Sequence, residues 1–408
     1  MTDREEKMGE KKKVLITGGS HAELPLIDAL HRLNCFVIST GNNKEGFGHK
    51  KADLYVPGDF SDREFVCSLA RKHHVSGIVS GCNDFAYIST AYTAEQLGLH
   101  GHDSVKKAEW IHHKNKFRQL MDENGVRCPF HYSCKNLEQL RDVLKNMKFP
   151  VLIKPVDLTG GKGVCVCQSL EEAEGAFLEA WKSTRQNEIL VEEYIEGSNH
   201  GASVLIHNNK IVFAFFDNEE YFINKYLVSG AFSPSDLTTD TKKMICQDIE
   251  KIAQAMDLTD GLFHCQCIVT DNGIPYLIDP CRRAPGDLYI KLVEYAMGID
   301  YPMAIVKAEL GLGFENELKA CRYDNRCVAR ECIMARQNGT LKDIVFHNGY
   351  EDAVFDRLIW GKQGDCIEDY MKYKAGIVFF EYDNPNILKE KMKTLYQNMV
   401  IEVNTDEC

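Results

Sequence analysis

The first hundred residues alternate between two hydrophobic periods. Short apolar runs, each typical of a buried strand, occupy 13–17, 36–40, 54–57 and 77–81. Apolar positions with helical spacing separate the runs, at 22–33 and again at 61–74. Strands that alternate with helices in this way predict a parallel sheet covered by helices on both faces.

Two polar loops follow strands of this predicted sheet. Ser20 and His21 come after the first strand, and Asn83 and Asp84 come after the fourth. Because ligands of open parallel sheets bind beyond the carboxyl ends of the strands, we expect these side chains to contact a substrate. A tight turn between strand and helix is an equally good interpretation of the first loop. Its Gly18-Gly19 pair lacks the G-x-G-x-x-G pattern, which argues against a nicotinamide-dependent oxidoreductase.

The stretch 261–283 predicts a β-hairpin around Asn272-Gly273, because a type I′ turn needs positive φ at both central residues. A two-residue loop pairs Asp271 with Ile274, and further out pairs Gln266 with Asp279 and His264 with Cys281. Side chains alternate along strands, so these last four residues share one face. The other face carries Phe263, Cys265, Cys267 and Ile278.

The polar face of this hairpin runs into Arg282 and Arg283. Oxygen donors from Gln266 and Asp279, next to paired guanidinium groups, suit Mg²⁺ that bridges polyphosphate oxygens. We expect His264, Arg282, Arg283 and Asp287 to line the substrate end of this cleft. The alternatives are a hydrated edge hairpin, a surface ion pair for Arg282 and a helix cap for Asp287.

A lysine inside an apolar strand is a further chemical signal. Residues 149–166 predict two strands around a glycine-rich loop, and Lys154 lies in the first strand. Loop glycines let backbone N–H groups approach phosphate oxygens, and the lysine adds a point charge. We therefore expect phosphate binding by Lys154 and by the loop residues Thr159, Gly160, Gly161, Lys162 and Gly163. A flexible hairpin tip is the alternative, and no P-loop motif is present.

Two other segments carry candidate nucleotide contacts. A single helix is predicted over 104–124, with Ser104 as its N-cap and Lys114 inside it, although a solvated charged face is the ordinary interpretation of that lysine. A strand over 189–197 ends in a turn whose backbone groups suit an adenine edge, with Glu192 or Glu193 nearby. The remaining predicted elements are a hairpin about Asn208-Asn209, helices at 137–147, 170–185, 239–256, 287–297, 301–310 and 386–397, and strands at 328–335 and 375–382.

Composition narrows the class of protein. The chain has 408 residues, 44% of them hydrophobic, which is enough for two or three domains. A net charge of −12, with no basic run longer than 11–13, argues against a nucleic-acid partner. No apolar run approaches the roughly 20 residues of a membrane span, and the charged N-terminus has no signal-peptide pattern, so we expect a cytoplasmic protein.

In their order along the chain, these motifs resemble those of ATP-grasp enzymes. Lys114 and Lys154 match the two nucleotide lysines of that superfamily, and 159–163 matches its mobile loop over the phosphates. The remaining matches are the adenine hinge at Glu192, Glu193, Tyr194 and Ile195, a ribose histidine at His200, the Mg²⁺ ligands Gln266 and Asp279, and the arginine Arg283. The branch that includes biotin carboxylase and dipeptide ligases is the most similar.

The resemblance implies an α/β fold, α+β in its central region, with three parts. These are an N-terminal parallel α/β domain at 1–105, an ATP-grasp domain at 106–312 with a lid at about 148–200, and a C-terminal α+β region at 313–408. It also implies ATP and Mg²⁺ as cofactors, as one or two ions for which Mn²⁺ can substitute. A homodimer is compatible with the resemblance.

The activity that the resemblance implies is an ADP-forming carboxylate–amine ligation through an acylphosphate, with Lys154 and Arg283 as catalytic residues. The substrates would be a small carboxylate, such as an amino acid, and an amine. Three positions depart from the pattern, with Gln266, Asp279 and Cys281 in place of the usual Glu, Glu and Asn. A catalytically degenerate regulatory protein and a carboxylase-type enzyme therefore stay open as alternatives.

Overall fold

The computed structural model describes residues 11–158, 161–321 and 326–405. Its first part is a parallel sheet with the strand order β3-β2-β1-β4. The strands are β1 (Lys13–Thr17), β2 (Phe36–Gly41), β3 (Leu54–Pro57) and β4 (Gly77–Ser80), and the helices are α1 (Leu24–Arg32), α2 (Phe47–Lys51), α3 (Arg63–His73) and α4 (Asp84–Leu97). The predicted alternation of strands and helices is confirmed here.

The second part contains a small antiparallel sheet with the order β5-β8-β6-β7. Its strands are β5 (His131–Cys134), β6 (Val151–Pro155), β7 (Cys165–Cys167) and β8 (Ile189–Glu193). Its helices, with the two that precede it, are α5 (Val105–His112), α6 (Lys114–Glu123), α7 (Leu137–Leu144) and α8 (Leu170–Ser183). Leu140, Val151 and Phe177 belong to the hydrophobic core under this sheet.

The prediction of a single helix over 104–124 is wrong in one respect. The structure breaks it at His113, whose backbone is extended, into α5 and α6. The cause is a long-range hydrogen bond, because the backbone N–H of Lys114 donates to the carbonyl of Val156 at 2.9 Å. The break places Lys114 at the first position of α6, facing the segment that follows β6. The predicted N-cap is present, since the Ser104 hydroxyl accepts from the N–H of Lys107.

The centre of the molecule is a four-stranded sheet with the order β10-β9-β13-β14. A second sheet, ordered β11-β12-β15-β19-β17, lies across from it, and β18-β16-β20 form a third. The elements up to residue 309 are β9 (Ser198–His207), β10 (Lys210–Phe216), β11 (Asn218–Tyr221), β12 (Val228–Ser233), α9 (Thr239–Met256), β13 (Gly261–Val269), β14 (Pro275–Cys281), α10 (Tyr289–Met297) and α11 (Tyr301–Glu309).

The C-terminal region joins these sheets. Its elements are 3₁₀ turns at Glu315–Leu318 and Glu351–Ala353, strands β15 (Cys327–Met334), β16 (Gly339–Phe346), β17 (Val354–Ile359), β18 (Cys366–Ile367), β19 (Lys374–Tyr382) and β20 (Met399–Asn404), and helix α12 (Pro385–Asn398). Because β15 pairs with β12, residues on both sides of the predicted boundary at 312/313 share one sheet. The predicted domain limits themselves stay predictions.

One hydrophobic core links the first sheet to the rest of the chain. It contains Val14 and Leu26 from the N-terminal part, Ile305 from α11 and Val328 from β15. A separate core lies between α9 and the face of β9 and β13 that is turned away from the first core. It includes Ile249 and Phe263. Across the residues that the structure describes, every helix is too short or too polar to cross a membrane.

Candidate active site

A cavity of about 630 Å³ lies between the small antiparallel sheet and the central sheet. We call it the nucleotide cavity, and its lining includes Lys154, Gly161, Tyr194, Ile195, Gln266, Ile278 and Asp279. β6 supplies the lysine, the chain leaving β8 supplies Tyr194 and Ile195, and the hairpin β13–β14 supplies the last three. The structure thus brings together several residues that the sequence analysis assigned separately.

Lys154 is buried and forms an ion pair with Glu192. The carboxylate of Glu192 is fully buried and also accepts a hydrogen bond at 2.6 Å from Nε of Arg118, which is fully buried too. Burial by itself raises the pKa of Glu192, but the two cationic partners outweigh it and lower the pKa to about 2. Glu192 is therefore ionised and holds Lys154 in place.

This arrangement gives the side chain of Glu192 a structural task next to the segment predicted to contact adenine. Its side chain points away from the nucleotide cavity, because the buried lysine and arginine both require its charge. Glu193 also uses its side chain structurally, since one carboxylate oxygen accepts from the N–H of Phe130 at 2.9 Å. The candidate adenine contacts that remain at the cavity are Tyr194 and Ile195.

His200 is likewise away from the cavity. It lies beside Cys267 on the face of the central sheet that packs against α9, whereas Gln266 points to the other face. Its ring is bonded to the Ser198 hydroxyl at 2.7 Å and to the backbone carbonyl of Asp217 at 3.0 Å. The described lining of the nucleotide cavity includes its neighbour Asn199 instead. Because side chains alternate along β9, His200, one residue after Asn199, points to the face that is turned away from the cavity.

The glycine-rich loop contacts the opposite wall of the cavity. Gly161 has φ +70°, and a Cβ atom there would lie 2.1 Å from the backbone oxygen of Tyr226, so no other residue fits. Gly163, with φ +72°, packs against Pro155. Lys162 is exposed. The predicted phosphate contacts Thr159 and Gly160 lie outside the described residues.

The hairpin β13–β14 has the predicted pairing at its functional end and a different turn. His264 lies opposite Cys281, as predicted, but Val269 pairs with Pro275, so the loop contains Asp271, Asn272 and Gly273 and the predicted pair of Asp271 with Ile274 is wrong. The register shifts by one residue between Cys265 and Cys267, where Ile278 and Asp279 both oppose Gln266.

This β-bulge changes which side chains reach the cavity. Ile278 and Asp279 are consecutive, yet both line the nucleotide cavity together with Gln266. Strict alternation predicted Ile278 on the opposite face, and that prediction is wrong because the extra residue interrupts the alternation. The bulge also presents the carbonyl of Ile278 to Nη1 of Arg118 at 2.9 Å.

A second cavity, of about 200 Å³, adjoins the first. We call it the inner cavity, and its lining includes Asp84, His112, Lys114, Glu219, His264, Gln266, Asp279, Arg283, Asp287 and Arg330. Glu219, Tyr226, Gln266 and Asp279 line both cavities and so form the wall between them. Lys114 approaches this wall from the inner side, with Nζ 3.1 Å from Oδ1 of Asp279 and 3.0 Å from the carbonyl of Leu158.

Arg283 is anchored in the inner cavity by Asp84. Its Nε donates to Oδ1 of Asp84 at 2.8 Å, and His112 Nδ1 lies 3.0 Å from the same oxygen. Burial raises the pKa of the Asp84 carboxyl, but the charges of Arg283 and His112 hold it well below its usual range. His264 is buried beside Tyr289, and burial together with the charge of Arg283 lowers its pKa to about 3, so its ring is neutral.

Arg282 does not reach either cavity. It is buried, its Nε donates to Asp103 at 2.9 Å, and its two terminal nitrogens donate to the carbonyls of Leu262 and Thr259. Every part of the guanidinium is therefore used to hold the end of β14 to neighbouring loops. The prediction that Arg282 contacts substrate is wrong, since parity along the strand turns it away from Arg283.

The loops of the first sheet contribute fewer side chains to the two cavities than the sequence predicts. Ser20 donates to Glu23 at 2.6 Å, and the Asn83 side chain accepts from Phe85 N–H as the N-cap of α4. Both side chains therefore stabilise turns, which was the alternative interpretation of the first loop. His21 stacks on Trp360 with ring centroids 4.4 Å apart and lies 3.4 Å from Asp287.

Asp287 lines the inner cavity and is not a helix cap. α10 begins two residues later without a side-chain cap. The carboxylate of Asp287 pairs with Lys374 and His21, whereas the backbone at this position is left-handed, with φ 52°. Burial raises the pKa of this carboxyl, but His21, Lys374 and the nearby charge of Arg330 outweigh it and hold the pKa well below its usual range.

The residues of the site that the sequence analysis missed include Glu219 and Arg330, as well as Tyr226 and His112. Glu219 on β11 accepts a hydrogen bond at 2.9 Å from the side-chain amide of Gln266, and burial together with the charge of Asp217 raises its pKa to about 7. Arg330 lies in the strand β15, whose other residues are apolar except for Glu331. A charged residue inside an apolar run was the signal used for Lys154, and the same signal was available for Arg330.

Comparison with known proteins gives a family match over part of the chain. The model of the phosphoribosylglycinamide synthetase ATP-grasp (A) domain matches residues 112–221. The alanine–anticapsin ligase of Bacillus subtilis is 25% identical over 310 residues, which are 69% of this chain and 64% of that protein. The chain spans less than two thirds of the length of the curated relatives that it matches.

Two solved structures show the same fold. An L-amino acid ligase from Bacillus licheniformis superposes with a TM-score of 0.81 at 19% identity, over 97% of this chain and all (100%) of that one. The biotin carboxylase domain of the Hydrogenobacter thermophilus 2-oxoglutarate carboxylase, a dimer in complex with MgADP, ADP and bicarbonate, has a TM-score of 0.77 at 19% identity. That alignment covers 96% of this chain and 90% of the other.

Proposed function

Because the chain is a member of the ATP-grasp superfamily, we propose that it is an ATP-dependent, ADP-forming carboxylate–amine ligase. Its reaction would activate a small carboxylate as an acylphosphate and transfer the acyl group to an amine, releasing phosphate. As part of the same proposal, the protein is cytoplasmic and forms a homodimer.

The observation that carries this proposal is the wall shared by the two cavities. Glu219, Gln266 and Asp279 face the nucleotide cavity on one side and the inner cavity on the other. Lys154 lies on the nucleotide side and Arg283 on the inner side. A phosphoryl group that passes from ATP to a carboxylate must cross between a nucleotide site and a substrate site, and this wall is where the two cavities meet.

The side chains at the wall fit a divalent cation. Two carboxylates, Glu219 and Asp279, and the amide oxygen of Gln266 are the oxygen donors that Mg²⁺ prefers. Glu219 supplies the negative charge that Gln266 lacks at the first metal position. When bound, Mg²⁺ would neutralise charge on the β- and γ-phosphate oxygens.

The protein residues have separate tasks in the proposed reaction. Lys154, held by Glu192, places a positive charge at the phosphates, and the loop containing Gly161 covers them and excludes water from the acylphosphate. Arg283 has Nε committed to Asp84 and Nη1 donating to the carbonyl of Ala284 at 3.3 Å, and its remaining nitrogen, Nη2, would contact the reacting carboxylate. Lys114 would exchange its contact with Asp279 for a phosphate oxygen.

The alternatives differ in what they require of this site. A regulatory protein without catalysis is motivated by Gln266 and Cys281 at positions where relatives carry metal ligands, and Glu219 offsets that argument. A carboxylase would use bicarbonate as the acid, and the inner cavity of about 200 Å³ has room for larger acids.

The test is a paired-substrate screen that measures ADP and phosphate release with amino acids, other small carboxylates and bicarbonate, each with and without an amine. The proposal predicts release that needs both an acid and an amine, and none with Lys154→Ala. Binding of ATP with Mg²⁺ but no stimulation by any pair would support the regulatory alternative. Stimulation by bicarbonate alone would support the carboxylase.

A further inference from the structure

Arg330 is a buried cation that has an unpaired donor atom. Its side chain lines the inner cavity and is only 2% exposed. Nη1 is 3.4 Å from the backbone oxygen of Asp287 and from Sγ of Cys332, whereas Nε has no hydrogen-bond partner. Within the described parts of the chain, no Asp or Glu side chain forms an ion pair with it.

Three other charged residues of the inner cavity do form ion pairs. Arg283 pairs with Asp84, and Lys114 pairs with Asp279. The carboxylate of Asp287 is engaged by Lys374 and His21.

The adjacent residue does not serve as the partner either. Glu331 lies on the other face of β15, where it accepts from the hydroxyl of Tyr396 at 3.2 Å. The carboxylates of Asp287 and Glu331 attract Arg330 without pairing with it, so its buried Nε donor is left without an acceptor, which is unfavourable unless a ligand supplies one.

We propose that Arg330 binds an anionic group of the substrate, a carboxylate or a phosphate that is not consumed in the reaction. Arg330 belongs to the sheet that contains β12 and β15, and Arg283 follows β14 of the central sheet. The two guanidinium groups therefore enter the inner cavity from different walls.

Arg283 serves the reacting carboxylate in the proposed ligation, which leaves Arg330 for a second anion. This inference rests on the proposed function for the identity of the reactants. The substrate class is then a small molecule with a permanent negative charge, such as an α-amino acid that acts as the amine donor or a sugar phosphate. A planar guanidinium with free donors suits either group.

The test measures ligand binding without ATP, by calorimetry at constant ionic strength. The probes are glycine, L-alanine, L-glutamate, ribose 5-phosphate and inorganic phosphate, with L-alaninamide, which lacks the carboxylate, and ribose, which lacks the phosphate, as matched analogues. The variants are Arg330→Met, Arg330→Lys and the control Arg357→Met, which removes an exposed arginine paired with Glu351. All are made in the full chain.

We expect at least one anion to bind the unmodified protein, with its Kd raised about tenfold to a hundredfold in Arg330→Met, less in Arg330→Lys and not at all in Arg357→Met. Preference for amino acids over L-alaninamide identifies a carboxylate, and preference for ribose 5-phosphate over ribose identifies a phosphate. Equal binding by Arg330→Met, or no binding of any anion to the unmodified protein, overturns the inference.

Two further readouts separate this inference from other failures. Without ligand, Arg330→Met should change the unfolding temperature little, since Arg330 forms no ion pair within the described residues. If Arg330→Met is too unstable for binding measurements, Arg330→Lys decides, and an unchanged Kd in that variant rejects the inference. Anion binding that depends on Arg330, in a protein without ligase turnover, would reject the proposed function and keep the anion site.

Discussion

Replacement of Glu192 by Gln tests the most heavily buried charge network of the site. The substitution keeps the size of the side chain and removes one negative charge between two buried cations, Lys154 and Arg118. The amide still accepts one hydrogen bond, so the change isolates the charge. We expect a marked loss of stability together with weaker ATP binding, because Lys154 loses the partner that fixes its position.

The magnitude follows from the pKa of Glu192. Its carboxyl has a pKa of about 2 in the folded protein against an ordinary value of 4.5, a difference of about 2.5. At about 1.36 kcal/mol for each pKa unit, the charge stabilises the folded state by about 3 kcal/mol at neutral pH. Loss of one member of a buried ion pair typically costs about 3–5 kcal/mol, which agrees.

The pH dependence has a definite sign. Because the folded pKa lies below the unfolded value, the stabilisation is complete above about pH 4.5 and is lost as the pH falls through about 2. The difference in unfolding free energy between the unmodified protein and Glu192→Gln should therefore be largest at neutral pH and should shrink in acid.

Urea unfolding followed by circular dichroism measures this difference. Glu196→Gln, an exposed glutamate four residues further along the chain, is the matched control and should change the unfolding free energy by less than about 0.5 kcal/mol. A loss below about 1 kcal/mol for Glu192→Gln, or one that is equal at pH 7 and pH 3, would refute the assignment of Glu192 as the shared counter-ion.

Three other predictions concern the proposed reaction. Arg283→Lys keeps the charge and loses the planar fork, so steady-state kinetics should show kcat lower by about a hundredfold with an unchanged KM for ATP; near-normal turnover would remove Arg283 from the chemistry. Asp279→Ala and Glu219→Gln should each raise the Mn²⁺ concentration at half-saturation in electron paramagnetic resonance titrations, and unchanged titrations would show that the cation binds elsewhere. Gly161→Ala should lower kcat/KM for ATP at least about tenfold, because its Cβ would meet the Tyr226 oxygen. Gly175→Ala, which lies within α8 and meets nothing within 4 Å, should leave the kinetics unchanged and raise the unfolding free energy by about 0.5–1 kcal/mol.

Local signals in the sequence were enough to predict many of the helices and strands. The hairpin about Asn208-Asn209 has the predicted two-residue loop, because both asparagines take the left-handed conformation that asparagine tolerates well. The pairing of His264 with Cys281 also followed from the sequence. These features depend on residues close together in the chain, where a single turn or period determines the structure.

What the sequence could not show depends on contacts between distant segments. The role of Glu192 requires Arg118 and Lys154, which come from α6 and β6. Glu219 is on a four-residue strand, β11, too short to have a readable period, and it reaches the wall only because β11 pairs with β12. A one-residue bulge was enough to move Ile278 to the other face of the hairpin.

The two irregularities of the hairpin β13–β14 cancel each other. The three-residue loop shifts the register by one, and the bulge opposite Gln266 shifts it back, so the functional end has the spacing of an ideal two-residue hairpin. The bulge, and not the turn, therefore determines which residues oppose Gln266, while the turn is held to α9 by the hydrogen bond of 3.0 Å from the Thr241 hydroxyl to the Gly273 carbonyl. Deletion of Asp271 would leave Thr270 opposite Ile274 around the two remaining loop residues, and Gln266 would keep its place beside Asp279. Insertions and deletions at this tip are neutral for the geometry at the wall, whereas a single deletion at the bulge is not.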